Sequence, residues 1–189
     1  MSTSATPFGL RAIRTVGGYF SGAIQQIKIA SGYTSAIANG DIVKMVAAGT
    51  IEKDTGTDAA TPIGVFIGCA YTDAGLGFVN RTYWPANTVS ADAMGYVVTD
   101  PNALFLIQAD AAVPQTALGI NFALVQTAPN TTFGQSRVAL DASSLTTTNT
   151  FPVRLVDFWV DGENAINDTY TMCVVKLQVG HQMDAIAGV

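Results

Sequence analysis

Along most of its length this chain alternates apolar and polar residues with a period of two, and turn residues break the alternation at short intervals. A helix buries residues three and four apart, so a period of two commits the backbone to strands with one face in and one face out. In residues 24–30, Ile27 and Ile29 fall on one side and Gln26 and Lys28 on the other, up to the Ser31-Gly32 break. Asn39-Gly40-Asp41 then opens residues 42–46, which close at Ala48-Gly49 before Thr50-Ile51-Glu52. Such pairs tolerate the backbone of tight turns. Residues 62–71 are apolar on both faces, the pattern of a central strand. After the bend at Gly75-Leu76-Gly77, residues 78–84 alternate until Pro85.

Residues 95–99 and 103–108 flank Asp100-Pro101-Asn102 and read as a hairpin. Shorter strands are expected at 119–127 and 137–141, and a polar loop at 143–149. The last two strands, 153–160 and 170–179, flank the turn Asp161-Gly162-Glu163-Asn164. About eight to ten short strands of this kind imply an all-β fold, a single β-barrel or β-sandwich domain.

The 189 residues fit one domain, large enough to bury roughly 70% of its unfolded surface without staples. Residues 1–22 read differently from the rest. They are rich in Ser, Thr and Gly, carry the isolated anchors Phe8, Leu10, Ile13, Tyr19 and Phe20, and hold the close basic pair Arg11 and Arg14. They read either as a frayed terminus or, the expectation adopted, as an extended N-terminal arm that orders on a neighbouring subunit, leaving residues 23–189 as the β-domain, open to elaboration after residue 101. Residues 180–189 resemble a shorter version of the same arm.

Composition narrows the partners. Hydrophobic residues make up 49% of the chain and charged residues 12%, about half the usual charged share. A surface that poor in charge is expected to face other copies or a large partner. The net charge of −5 and a pI near 4.5 oppose nucleic-acid binding, which needs clustered Lys and Arg. The longest uncharged stretch, 111–136, is interrupted by Pro114, Gln115, Asn121, Gln126, Pro129 and Asn130, so no membrane span is expected. The N-terminus lacks the basic and apolar regions of a secretory signal, and the protein is expected to be made and kept inside a cell. Cys69 and Cys173 sit in apolar, β-branched runs and are expected as buried free thiols; with His181 they are too few for a metal site.

No set of residues reads as catalytic, and no cofactor or metal is expected. His181, the single histidine, lies near the end of the chain, a poor place for a Ser-His-Asp or Cys-His arrangement. Asp157, Asp161, Glu163 and Asp168 could supply oxygen ligands to a cation, but their spacing is not that of an EF-hand, and a solvated turn is the simpler reading. The pairs Gly64/Gly68 and Gly75/Gly77 lack the helix and the third glycine or lysine of phosphate-binding loops. In Tyr83-Trp84 and Phe158-Trp159, one ring is expected in the core and the other in an interface.

The order Tyr33, Asn39-Gly40-Asp41-Ile42-Val43, Gly49-Thr50-Ile51 and Pro62-Ile63-Gly64-Val65-Phe66-Ile67-Gly68-Cys69-Ala70-Tyr71 is similar to that of the small β-rich capsid decoration, or cement, proteins of tailed bacteriophages. The similarity covers residues 24–100; nothing from Pro101 onward carries it. It implies a non-enzymatic virion protein on the capsid exterior, made in the host cytoplasm, often a trimer, that clamps adjacent major capsid subunits. The expected partners are then the major capsid protein and other copies of the chain. The expected interface residues are Phe8, Leu10, Arg11, Arg14, Tyr19, Phe20 and Trp84. Two other readings stand beside it: a head-fibre or receptor module binding glycans through exposed aromatics such as Trp84, and a β-sandwich enzyme built on Asp157, Asp161 and Tyr170.

Overall fold

The computed structural model describes residues 4–20 and 22–179. Among them the chain forms, in order, β1 (Arg11–Thr15), β2 (Gly18–Tyr19), β3 (Ile24–Lys28), β4 (Ile37–Ala38), β5 (Ile42–Met45), β6 (Ile51–Lys53), β7 (Pro62–Asp73), β8 (Gly77–Arg81), β9 (Tyr83–Trp84), β10 (Met94–Val98), β11 (Ala103–Gln108), β12 (Asn121–Phe122), β13 (Leu124–Val125), β14 (Ala139–Leu140), β15 (Val153–Phe158) and β16 (Met172–Leu177). A single 3-10 turn, Gln115–Ala117, is the only helical element of the described residues. The all-β expectation is met.

Two large sheets carry the fold. The first runs β12-β15-β16-β11-β1-β2, and the second β3-β10-β7-β5-β6 with β8 added to β7; short ladders join β13 to β14 and β4 to β9. Every strand ladder is antiparallel. Phe105, Ile107, Val153, Leu155, Cys173 and Val175 of the first sheet meet Ile42, Val65 and Val98 of the second in one core, as in a sandwich. The ends of the second sheet approach through one parallel bridge, Ile29 to Ile51, so the sheet curls without closing into a barrel.

A second core lies on the other face of the second sheet, where Ile29, Val43, Phe66, Cys69, Tyr71 and Val97 are covered by Ile37 of β4 and Trp84 of β9. Strand β7 is therefore buried on both faces, as its unbroken apolar run requires. A regular strand would point Phe66 and Cys69 to opposite sides. A bulge at Ile67, between the pairs Val97–Phe66 and Tyr96–Gly68, turns the strand over and sends both into the second core.

Three expectations about connections change. Residues 95–99 and 103–108 are not a hairpin: β10 pairs with β3 and β7 in the second sheet, and β11 with β16 and β1 in the first. The turn chemistry is as read, with the Asn102 amide donating to Asp100 Oδ1 at 2.8 Å, but the turn carries the chain between sheets. The expected strand 119–127 is split into β12 and β13, which join different ladders. Residues 4–10, before β1, pack on the domain and form no separate arm. Leu10 is 1% exposed within the first core, β1 pairs with β11, and Thr6 and Ser4 are tied to Gln108 by bonds of 2.8 and 3.1 Å.

The docking of this segment depends on two glycines. Leu10 N–H donates to the Gly40 carbonyl at 2.9 Å, with Gly9 at φ +75° and Gly40 at φ +98°. A Cβ on Gly9 would lie 2.5 Å from the Gly40 oxygen, and one on Gly40 would lie 2.8 Å from the Phe8 oxygen. Only residues without a Cβ permit both the approach and the backbone angles.

Candidate interaction surfaces

Strands β1, β11, β16 and β15 lie side by side, and their alternation places Phe105, Val175 and Leu155 inward. Leu104 and Val174 therefore lie on the outer face. Two bulges add apolar residues to this face: Ile13 is extra between Ala12 and Arg14 on β1, and Val156 between Leu155 and Asp157 on β15. Arg14 reaches across to Asp157, with Nη2 at 2.7 Å from Oδ2. Both side chains are about half exposed, so the pair contributes about 0–1 kcal/mol. Arg14 borders two grooves on this face, one with Leu104 and Val156 and one with Asp157 and Val174.

One groove, of about 410 Å³, is lined by Arg14, Val16, Tyr19, Leu104 and Val156. The β1–β2 hairpin forms its wall and carries Tyr19, 97% exposed, beside the exposed Val16. The other, of about 460 Å³, is lined by Ile13, Phe158, Trp159, Val160 and Val174 around the same ion pair. A largely apolar concavity flanked by a projecting aromatic has features common in protein-binding surfaces.

A second surface surrounds the N-terminal segment. The Arg11 guanidinium lies 4.5 Å above the Phe8 ring, a cation–π contact that fixes both. This pair walls two adjoining cavities that also share Gln135. One, of about 530 Å³, is mainly apolar, with Ala12, Phe20, Ile67 and the exposed Phe133. The other, of about 560 Å³, is polar, with Thr6, Asn130 and Arg137.

The expected interface residues thus divide. Phe8, Arg11 and Phe20 converge on the paired cavities, while Arg14 and Tyr19 belong to the outer-face groove. Leu10 and Trp84 are corrected: both are buried, Leu10 in the first core and Trp84 in the second. Trp84 packs edge-on against Tyr71, with ring centroids 5.1 Å apart, and is not available to a glycan or a partner. In the other aromatic pair Phe158 is buried and Trp159 is the exposed ring.

In the 161–168 turn, Asp161 and Asp168 bind the turn's own backbone amides. Asp161 Oδ1 accepts from the Glu163 and Asn164 amides and Asn164 Nδ2, all at 2.8 Å, and Oδ2 accepts from Trp159 Nε1 at 2.9 Å. These donors hold its pKa down at about 2. Asp168 Oδ2 accepts the Ala165 amide at 2.8 Å, and Asp157 is the partner of Arg14. Among the described residues no three His, Cys, Asp or Glu side chains are grouped to hold a metal. Cys69 and Cys173 are free and buried, and burial pushes both thiols up to about 12. His181 lies outside the described residues.

The residue that sequence reading missed is Asp41. It has no exposed surface, yet its Oδ2 accepts the Ala38 amide at 2.9 Å and pairs with Lys53 Nζ at 3.0 Å, while Oδ1 accepts from Ser136 Oγ at 2.6 Å. Read as a turn residue, it is the buried tie between β6, the turn before β5 and residues 134–138 behind the polar cavity. The available signal was the Gly40-Asp41 pair itself, an acid directly preceding an apolar strand.

No helix among the described residues is long and apolar enough to cross a membrane. No family model, no curated protein and no solved structure matches this chain.

Proposed function

We propose that this chain is a non-enzymatic structural protein of a tailed-bacteriophage virion, bound to the outside of the capsid, where it stabilises contacts between major capsid subunits and associates with copies of itself as a trimer. The residue order across 24–100, from Gly40-Asp41 to the central strand β7, supports this reading, and so does the shortage of charge. The observation that carries it is the outer face of the first sheet, an apolar groove beside the exposed Val16 and Tyr19. A clamp gains its strength by repetition, so contacts that are weak singly suffice when the shell presents many of them in register.

The test uses point variants, because deleting residues 1–22 would remove Leu10 from the core and β1 from its sheet. Val16 and Tyr19 project from the hairpin, so Val16→Asp with Tyr19→Asp places two charges in the contact while leaving the fold unchanged. The wild-type chain is expected to co-purify with intact particles at a fixed ratio to the main shell protein. The double variant is expected to lose particle affinity by about tenfold or more, roughly 1.4 kcal/mol. A double variant that occupies particles like the wild type, or a wild-type chain absent from particles, overturns the reading.

A further inference from the structure

Arg11 and Arg137 line the same polar cavity, which has no acidic side chain in its lining. Among the described residues the only two ion pairs are Arg14–Asp157 and Lys53–Asp41, so neither arginine is neutralised. Asp41 lies behind the cavity wall, hydrogen-bonded to Ser136, but Lys53 at 3.0 Å takes its charge. In a chain with 14 acidic and 9 basic residues, two uncompensated guanidiniums at one cavity select for an anionic partner. The adjoining apolar cavity, sharing Phe8, Arg11 and Gln135, asks for an apolar side chain next to that anion.

The same chain carries a segment of that chemistry. Residues 159–166 expose Trp159, Val160 and Ile166 around Glu163. Asp161, with its four hydrogen bonds, holds the turn in one shape, which lowers the ordering cost of binding. Several other surface carboxylates are engaged: Asp73, Asp92, Asp100 and Asp141 each accept hydrogen bonds from nearby amides or hydroxyls. Among the described residues the Glu163 carboxylate has no hydrogen-bond or ion-pair partner, so its charge is free to meet another.

We infer that the paired cavities around Phe8 and Arg11 receive residues 159–166 of a second copy of this chain, Glu163 of one copy meeting Arg137 and Arg11 of the other while Trp159 and Val160 cover the apolar cavity. A second copy is the occupant because one chain bears both complementary halves, and a contact between unlike patches closes into a ring when its rotation permits. This inference deepens the self-association within the proposed function, and solution mass tests it without any capsid.

Arg137 and Glu163 are both exposed, so reversing either charge leaves the core untouched. Sedimentation equilibrium of the wild type, Arg137→Glu, Glu163→Arg and the double variant reads the contact, with thermal unfolding as the check on folding. The wild type is expected to assemble, each single reversal to weaken assembly about tenfold or more, and the double reversal to recover most of that loss. Assembly indifferent to the single reversals, or a double variant no better than the singles, overturns the inference. A wild type that stays monomeric at all concentrations overturns it as well; if Arg137→Glu then lowers particle occupancy, the cavity belongs to an acidic segment of the shell subunit.

Discussion

A carboxylate without exposed surface is costly to ionise unless its oxygens are engaged, and Asp41 engages both, through Ala38, Ser136 and Lys53. Removing one partner leaves the other charge stranded in a low dielectric, which costs more than the intact pair contributes. Asp41→Ala is therefore expected to destabilise the protein by about 3 kcal/mol or more, read from the midpoint of urea unfolding at unchanged m. The two thiols form a gentler case. With both pKa values pushed up to about 12 by burial, Cys69 and Cys173 hold almost no thiolate at neutral pH. Both are expected to ignore a thiol reagent at pH 8 in the native protein and to react fully once unfolded; rapid labelling of the native state would contradict the burial. Their apolar, β-branched settings made them legible in the sequence. Asp41 was only half legible, since its turn position could be read and its burial could not.

At the scale of elements, β7 and the turn at Asp161 show how much local chemistry decides. The 161–164 turn was recognisable from Asp-Gly-Glu-Asn, and the strands it joins, β15 and β16, are neighbours in the first sheet. Its stability depends on the Asp161 carboxylate being ionised. Because the folded pKa, about 2, lies below the ordinary value near 4, the contribution is complete above about pH 4 and is lost as pH falls through about 2. Asp73 and Asp92, also lowered by hydrogen bonds, add to the same acid loss. Thermal melts between pH 4 and pH 2 are expected to fall less steeply for Asp161→Ala than for the wild type; equal slopes would show that the turn does not couple to global unfolding. The turn at Asp100 was equally recognisable, yet β10 and β11 part into different sheets. Turn residues report a reversal of direction locally, while the strand that receives the chain is chosen by packing far away in sequence.

Over the whole molecule, the shortage of charge and the two cores have one cause. Burying β7 on both faces uses the apolar residues twice, against the first sheet and against the β4–β9 cover, so a high hydrophobic content is consistent with a well-filled interior. Of the apolar residues the interior does not absorb, Val16 and Tyr19 flank the hairpin groove, Trp159 and Val160 line the other outer-face groove and Phe133 lines the apolar cavity, while Ile24, Leu76, Phe78, Val89, Leu118 and Leu145 are exposed outside these concavities. The loss of particle affinity expected from the Val16 and Tyr19 charges, and the charge-reversal series at Arg137 and Glu163, belong to this scale. The sequence by itself determined the all-β class, most strand positions and the buried thiols, because period and turn chemistry act between near neighbours. Only the tertiary structure decided which strands share a sheet, that Leu10 and Trp84 are core rather than interface, and that Arg11 and Arg137 face one cavity. Those outcomes depend on bulges that flip a strand's faces and on contacts between residues a hundred positions apart, for which a linear pattern carries no signal.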